Sequence, residues 1–266
     1  VHAETSTGAL SDAKVLCALA QKYGCLTIVD TVTSLGGVPV NVDEWSADAV
    51  YSGSQKCLSC TPGLSPITFS ERVVEQVGKR EQKCQSWFLD LKLLLGYWGE
   101  TTRTYHHTAP TNSLYALHES LLALQQEGLE QAWARHQSNH IALKDGLAAL
   151  GIDFVVAEQS RLPQLNSIYI PSGLDDKAVR AEMLQQHGIE IGAGLGALAG
   201  KIWRIGLMGY SSRVENVIAC LNALESVLTN QARDCEPGAA VAAAYRSYAQ
   251  QSLVAHPPRA AVCQPG

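Results

Sequence analysis

The residues best suited to chemistry lie in Tyr51-Ser52-Gly53-Ser54-Gln55-Lys56, where an apolar strand runs into small residues and stops on a lysine. An amine shielded from water loses part of its preference for the charged form and can attack a carbonyl carbon, as a Schiff-base lysine must. Two features precede it: a hydroxyl-rich turn, Thr5-Ser6-Thr7, and Asp30, the carboxylate that ends the apolar run Cys25-Leu26-Thr27-Ile28-Val29. The three follow one another at about 25-residue intervals, one strand-helix step of a parallel sheet. Together they suit pyridoxal phosphate. A lysine takes the aldehyde, a carboxylate keeps the pyridine nitrogen protonated, and small donors hold the phenolic oxygen and the phosphate.

Alternating strands and helices must position these groups. Ala13, Leu16, Cys17 and Ala20 fall at helical spacing, with Ser11 or Asp12 as N-cap and Gly24 as the stop. Residues 25–30 read as a strand buried on both faces, followed by strands near 48–52 and 66–69. The expectation is a parallel, mostly buried sheet that binds ligands at its C-terminal edge. Ser70 caps a helix over 71–77, and a polar connection with scattered aromatics leads to Tyr105-His106-His107-Thr108-Ala109-Pro110.

From Ser113 onward long helices are expected, one with the stripe Leu114, Leu117, Leu121 and Leu124, the next with Leu143, Leu147 and Leu150. Strands at 153–156 and 166–170, a helix over 176–187 stopped by Gly188, strands at 189–191 and 202–205, and a last helix from Val214 to Leu228 complete an α+β layer. The segment 192–197 has the glycine spacing of a dinucleotide fingerprint, but a strand returns at Ile202 where a helix should open, so it reads as a loop. The fold class is therefore α/β. Residues 1–112 form part of a large domain, 113–230 a smaller α+β domain with its connecting helix, and 231–266 a poorly structured tail.

Composition narrows the partners. With 46% hydrophobic residues over 266 positions the chain can bury a large core, and a net charge of -5 with scattered Lys and Arg leaves no footprint for nucleic acid or an anionic membrane. There is no apolar run long enough for a membrane helix. The eight cysteines lack framework spacing and sit mostly in apolar segments, as reduced thiols of a cytoplasmic protein do, although a peroxisomal or mitochondrial address stays open. Cys57 and Cys60 have no second pair to complete a zinc site, and His106-His107 has no third ligand at helical spacing, so no metal is expected. The chain opens at Val1 without Met and reads as a fragment.

Five segments carry a resemblance: Glu4-Thr5-Ser6-Thr7-Gly8, Val29-Asp30-Thr31-Val32-Thr33-Ser34-Leu35-Gly36-Gly37, Tyr51 through Lys56, Tyr105 through Pro110, and Trp203-Arg204-Ile205-Gly206. Over about residues 1–228 the chain resembles class V pyridoxal-phosphate aminotransferases, most closely their alanine–glyoxylate (serine–pyruvate) branch. The resemblance implies fold type I of the pyridoxal-phosphate transferases. It implies that Lys56 is the Schiff-base lysine and that Asp30 pairs with the pyridine nitrogen. By the same resemblance Ser6 and Gln55 are hydrogen-bond partners around the cofactor, with Thr7 among the small donors, and Arg204 grips the substrate α-carboxylate. It further implies a homodimer in which Tyr105 and Thr108 reach the phosphate of the neighbouring subunit's cofactor. A preceding part of the large domain, with the phosphate-cradling glycine-rich loop, lies outside this chain.

The implied reaction is a ping-pong transfer of an amino group from alanine or serine to glyoxylate or another 2-oxo acid, with Lys56 as general base. Two alternatives stay open: another class V enzyme, such as a cysteine desulfurase or a lyase, and a non-catalytic remnant. Individual residues also have plainer readings. Asp30 would cap a following helix, Arg204 would belong to a structural ion pair, and Tyr105 would pack in a core.

Overall fold

The computed structural model describes residues 1–99, 104–231, 233 and 235–255, and its chain separates into two compact units. The first comprises 1–3, 11–35 and 39–126; the second comprises 4–10, 36–38 and 127–266. The long helix that begins at Thr111 groups with the first unit through Gln126. Two short strands, β1 (Ala3–Glu4) and β2 (Ala9–Leu10), flank the hydroxyl-rich turn.

In the first unit, α1 (Ala13–Lys22) starts where the Asp12 carboxylate accepts the Val15 N–H. Its buried residues Ala13 and Cys17 pack with Val29, Trp45, Ala47 and Val50. A three-stranded sheet has the order β3 (Ile28–Asp30), β4 (Ala49–Tyr51), β5 (Ile67–Phe69). β3 runs parallel to β4, and β5 runs antiparallel to it. No helix connects β4 to β5, and without such a crossover the chain returns in the opposite direction. β3 is also not buried on both faces: Val29 is 7% exposed while Ile28 is 76% exposed. Ser70 caps α2 (Glu71–Gly78) as expected. The segment read as a plain connection contains α3 (Leu91–Trp98), capped by Asp90. α4 (Thr111–Glu127) has no buried residue among those described, so its leucine stripe is not core in this unit.

In the second unit, α5 (Leu129–Ala149) supplies Leu143 and Leu147 to the core. An antiparallel sheet has the order β6 (Leu165–Tyr169), β8 (Ile202–Gly206), β7 (Gly192–Ala193). α6 (Asp176–His187) ends on Gly188 in the left-handed conformation, φ 66°, the C-terminal stop a glycine provides at no steric cost. α7 is Val214–Asn230. Neither 153–156 nor 189–191 forms a strand: Phe154 makes one isolated bridge to Ile168, and the third strand lies at Gly192–Ala193.

The expected tail is corrected over 239–255, which form α8 (Ala239–Ala255). Ala240 and Ala244 are fully buried in the core with α5 and α7. Alanine is the strongest intrinsic helix former, and its small side chain lets α8 lie close against α5. A Cβ on Gly146 would stand 3.0 Å from the Ala240 carbonyl oxygen and 2.3 Å from Leu221 Cδ1. Residues 256–266 lie outside the described part. Among the described residues no helix is long and apolar enough to cross a membrane.

Candidate active site

Asp30 ends one strand, and Lys56 lies on the turn that follows its parallel neighbour. Asp30 closes β3 and is paired in register with Tyr51, the last residue of β4. Its carboxylate accepts the Tyr51 phenol on Oδ2 at 2.7 Å and the Val32 N–H on Oδ1 at 2.8 Å. The first-named bond, helped by burial, raises the Tyr51 phenol above its ordinary value. No described helix begins within 31–48, so the helix-cap reading of Asp30 does not hold; the carboxylate instead closes a local two-residue turn.

After β4 the chain turns on buried serines. Ser52 Oγ donates to the Thr31 carbonyl at 3.1 Å and Ser54 Oγ to the Thr61 carbonyl at 2.6 Å. The Ser59 N–H closes the turn onto the Lys56 carbonyl at 2.9 Å. Lys56 is half-buried on that turn. The turn also touches the loop after Asp30, since Cys57 Sγ lies 3.7 Å from the Thr33 carbonyl. In that loop Ser34 Oγ is buried without a hydrogen-bond partner. An oriented carboxylate, an amine and an orphaned hydroxyl on adjoining loops form a donor set that fits the pyridine and aldehyde ends of pyridoxal phosphate.

Gln55 is exposed and folds back over Gly53, where a Cβ would stand 2.6 Å from Gln55 Oε1 and 3.4 Å from Val32 Cγ1. Glycine at 53 is therefore what allows this fold of the side chain. Tyr105 and Thr108 join hydroxyls at 2.7 Å, and Tyr105 meets Tyr97 edge-on. At 70% exposure Tyr105 is not core. None of these contacts reaches Asp30 or Lys56. Between them His106 is buried, stacked on Trp87 at 4.0 Å, with its Nδ1 2.8 Å from His107 Nδ1.

The other three expected residues lie in the second unit. Ser6 gives both its N–H, at 2.8 Å, and its hydroxyl proton, at 2.7 Å, to Glu4 Oε1. Those two bonds, the hydroxyl's first, hold Glu4 below the usual carboxylate range. Thr7 Oγ1 accepts the Ala9 N–H at 3.3 Å. Gly8, at φ 76°, packs so closely on β6 that a Cβ would stand 2.4 Å from the Leu165 carbonyl oxygen. Arg204, half-buried on β8, donates from Nε to the Ala193 carbonyl at 2.8 Å and from Nη1 to the Thr5 carbonyl at 3.0 Å. Main-chain carbonyls, not a carboxylate, are its partners, so the ion-pair reading does not hold. Across the β6–β8 pair from Arg204 stands Ser167, whose buried Oγ has no partner.

Sequence reasoning assigns no role to Glu4 or Tyr51, although both lie in segments it singles out. Tyr51 opens the lysine segment, but its pairing with Asp30 follows only from the β3–β4 register.

The family model for aminotransferase class V matches residues 1–217. An (S)-ureidoglycine--glyoxylate transaminase of Bacillus subtilis is 40% identical, over 93% of this chain and 64% of its own length. An alanine--glyoxylate aminotransferase of Callithrix jacchus is 40% identical, over 85% of this chain and 56% of its own. A crystal structure of an alanine--glyoxylate aminotransferase from Nostoc superposes with a TM-score of 0.83 at 50% identity, covering 85% of this chain and 60% of that one. The chain thus spans less than two thirds of the relatives it matches. With the matched segment running through the Asp30 and Lys56 loops and Arg204, the chain belongs to the class V aminotransferase family.

Proposed function

We propose that the protein is a pyridoxal-phosphate-dependent aminotransferase that moves an amino group from a small amino acid, alanine or serine, to glyoxylate or another 2-oxo acid. The observation that carries this reading is that Asp30 ends β3 while Lys56 lies on the turn after the parallel neighbour β4, a turn that touches the loop after Asp30. Glyoxylate as acceptor is supported by the names of two relatives. Residues 1–112 serve as the later part of the cofactor-binding domain and 113–230 as the small domain.

Pyridoxal phosphate, when bound, supplies an aldehyde that condenses with amines and a ring that draws electrons from the substrate Cα. Asp30, whose carboxylate oxygens each accept one donor from Tyr51 or Val32 and keep lone-pair capacity, would hold the protonated ring nitrogen. Lys56 would hold the cofactor's aldehyde end through its amine and, once that amine is released, would serve as the base for the substrate Cα proton. Arg204, with its plane fixed by Ala193 and Thr5, keeps its Nη2 donors for the substrate carboxylate. As the class V resemblance implies, Gln55, Ser6 and Thr7 would supply hydrogen-bond partners to the cofactor. Ser6 has committed its one hydroxyl proton to Glu4 and so acts there as an acceptor. Tyr105 and Thr108 reach the partner's cofactor phosphate in a homodimer. The exposure of both residues supports that role. A cytoplasmic setting is supported by the eight cysteines, which lack framework spacing and sit mostly in apolar segments.

The test is the visible absorbance of purified protein after addition of pyridoxal phosphate, with Lys56→Ala as control. A band present only in the wild type and bleached by alanine or serine is the expected result. Equal absence of the band in both proteins overturns the reading, and sulfide release from cysteine would redirect it to a desulfurase.

A further inference from the structure

We propose that Tyr51 is a positioning residue of the cofactor site, its phenol holding the Asp30 carboxylate in the orientation from which Asp30 meets the pyridine nitrogen. The inference rests on the pyridoxal-phosphate reading above.

Asp30 and Tyr51 are direct neighbours in the parallel β3–β4 register. The backbone around them is fixed twice over. The Tyr51 carbonyl accepts the Thr31 N–H at 2.9 Å and the Thr31 hydroxyl at 2.8 Å, and Ser52 Oγ ties back to the Thr31 carbonyl at 3.1 Å. With both strand ends locked, the phenol reaches Asp30 Oδ2 at 2.7 Å while the Val32 N–H reaches Oδ1 at 2.8 Å. Each carboxylate oxygen then carries one fixed donor and keeps lone-pair capacity for another. Rotation of the carboxylate about its own bond would break both hydrogen bonds, so its plane is set before any ligand arrives.

The choice of a phenol matters chemically. A lysine or arginine in this place would pair ionically with Asp30 and compete with the ring nitrogen for its charge. Tyr51 orients the carboxylate as a neutral donor and leaves the charge in place. Losing the phenol would leave Oδ2 without its donor and the carboxylate free to turn. The ring nitrogen would then hold its proton less completely. A conjugated Schiff base facing less positive charge on the ring would keep its own proton to higher pH, because like charges disfavour each other's protonated forms.

The experiment compares wild type, Tyr51→Phe, Asp30→Asn and the double variant by pyridoxal-phosphate titration and by the pH dependence of the visible band. Phe keeps the ring, and thermal unfolding without cofactor checks that the variant folds. In the wild-type background Y51F should weaken cofactor binding about tenfold, as for loss of one hydrogen bond to a charged group, and should move the band's titration upward. In the D30N background the same change should add little, because Tyr51 acts through Asp30. A purely structural role would give equal losses in both backgrounds and overturn the inference. An unchanged affinity and titration in Y51F, with a normal wild-type band, would also overturn it and leave the cofactor reading standing. A wild type with no band overturns the cofactor reading and this inference with it.

Discussion

Arg204 Nη1 donates to the Thr5 carbonyl at 3.0 Å, so the β8 arginine side chain ties to the main chain of the hydroxyl-rich turn, far from it in sequence. With Nε bound to the Ala193 carbonyl at 2.8 Å, the guanidinium plane is fixed on one edge. A lysine cannot serve two carbonyls and present a planar fork at once. Arg204→Lys is therefore expected to raise KM for the amino donor on the order of 30-fold, the equivalent of about 2 kcal/mol, with a smaller change in kcat. Steady-state kinetics of both half-reactions check this; an unchanged KM would remove Arg204 from substrate binding.

Gly8 closes the same turn at φ 76°, and a Cβ there would stand 2.4 Å from the Leu165 carbonyl oxygen. Backbone on both sides cannot yield as a flexible side chain would. Gly8→Ala should cost about 2–3 kcal/mol from left-handed strain and overpacking combined. Denaturant unfolding measures it directly, and a variant as stable as the wild type would show that the turn can shift away from β6.

The parts of this architecture that could be read in the chain are those decided by residue type near a strand end. Asp30, Lys56 and Arg204 stand out because charged groups that interrupt apolar runs are costly unless used. Tyr51 as partner of Asp30, and Glu4 as partner of Ser6, depend on register and turn geometry, which apolar patterning does not specify. The antiparallel return of β5 followed from a connection without a helix, not from the strand's own residues. α8 was hidden for another reason: the alanine-rich stretch 239–255 lacks the contrast between apolar and polar faces on which helix reading relies, although its propensity is high.

His136 and His140 make the second unit sensitive to acid. His136 Nε2 accepts the Gly209 N–H at 2.9 Å and Nδ1 donates to the Ala132 carbonyl at 2.6 Å, which fixes a neutral ring. His140 Nδ1 pairs with Asn166 Oδ1 at 2.6 Å. Burial lowers both rings below the ordinary value of 6.5. The unfolded chain therefore takes up protons before the folded one. Stability is full above pH 6.5 and falls as pH drops from there toward the depressed native values, by up to about 1.4 kcal/mol per pH unit for each ring. Urea midpoints at pH 7.5 and 5.5 should show this loss, and His136→Gln should reduce the slope; equal slopes in the two proteins would exclude His136 as a source.

Glu225 ties α7 to the start of α8. From α7 its carboxylate, 8% exposed, accepts the Gly238 N–H on Oε1 at 2.5 Å and the Ala240 N–H on Oε2 at 3.0 Å. It thereby caps the helix start with a negative charge where the helix dipole is positive. Farther along, the Tyr248 hydroxyl donates to Asn139 Oδ1 on α5 at 2.7 Å. Glu225→Ala leaves two N–H donors without their partner and should cost about 2–4 kcal/mol, concentrated in the last helix. Tyr248→Phe, which removes one bond and keeps the ring, should cost about 1 kcal/mol. Amide hydrogen exchange over 239–252 should accelerate strongly in E225A while the β6–β8 sheet stays protected. Protection of α8 unchanged in E225A would mean that the buried faces of Ala240 and Ala244 alone hold the helix.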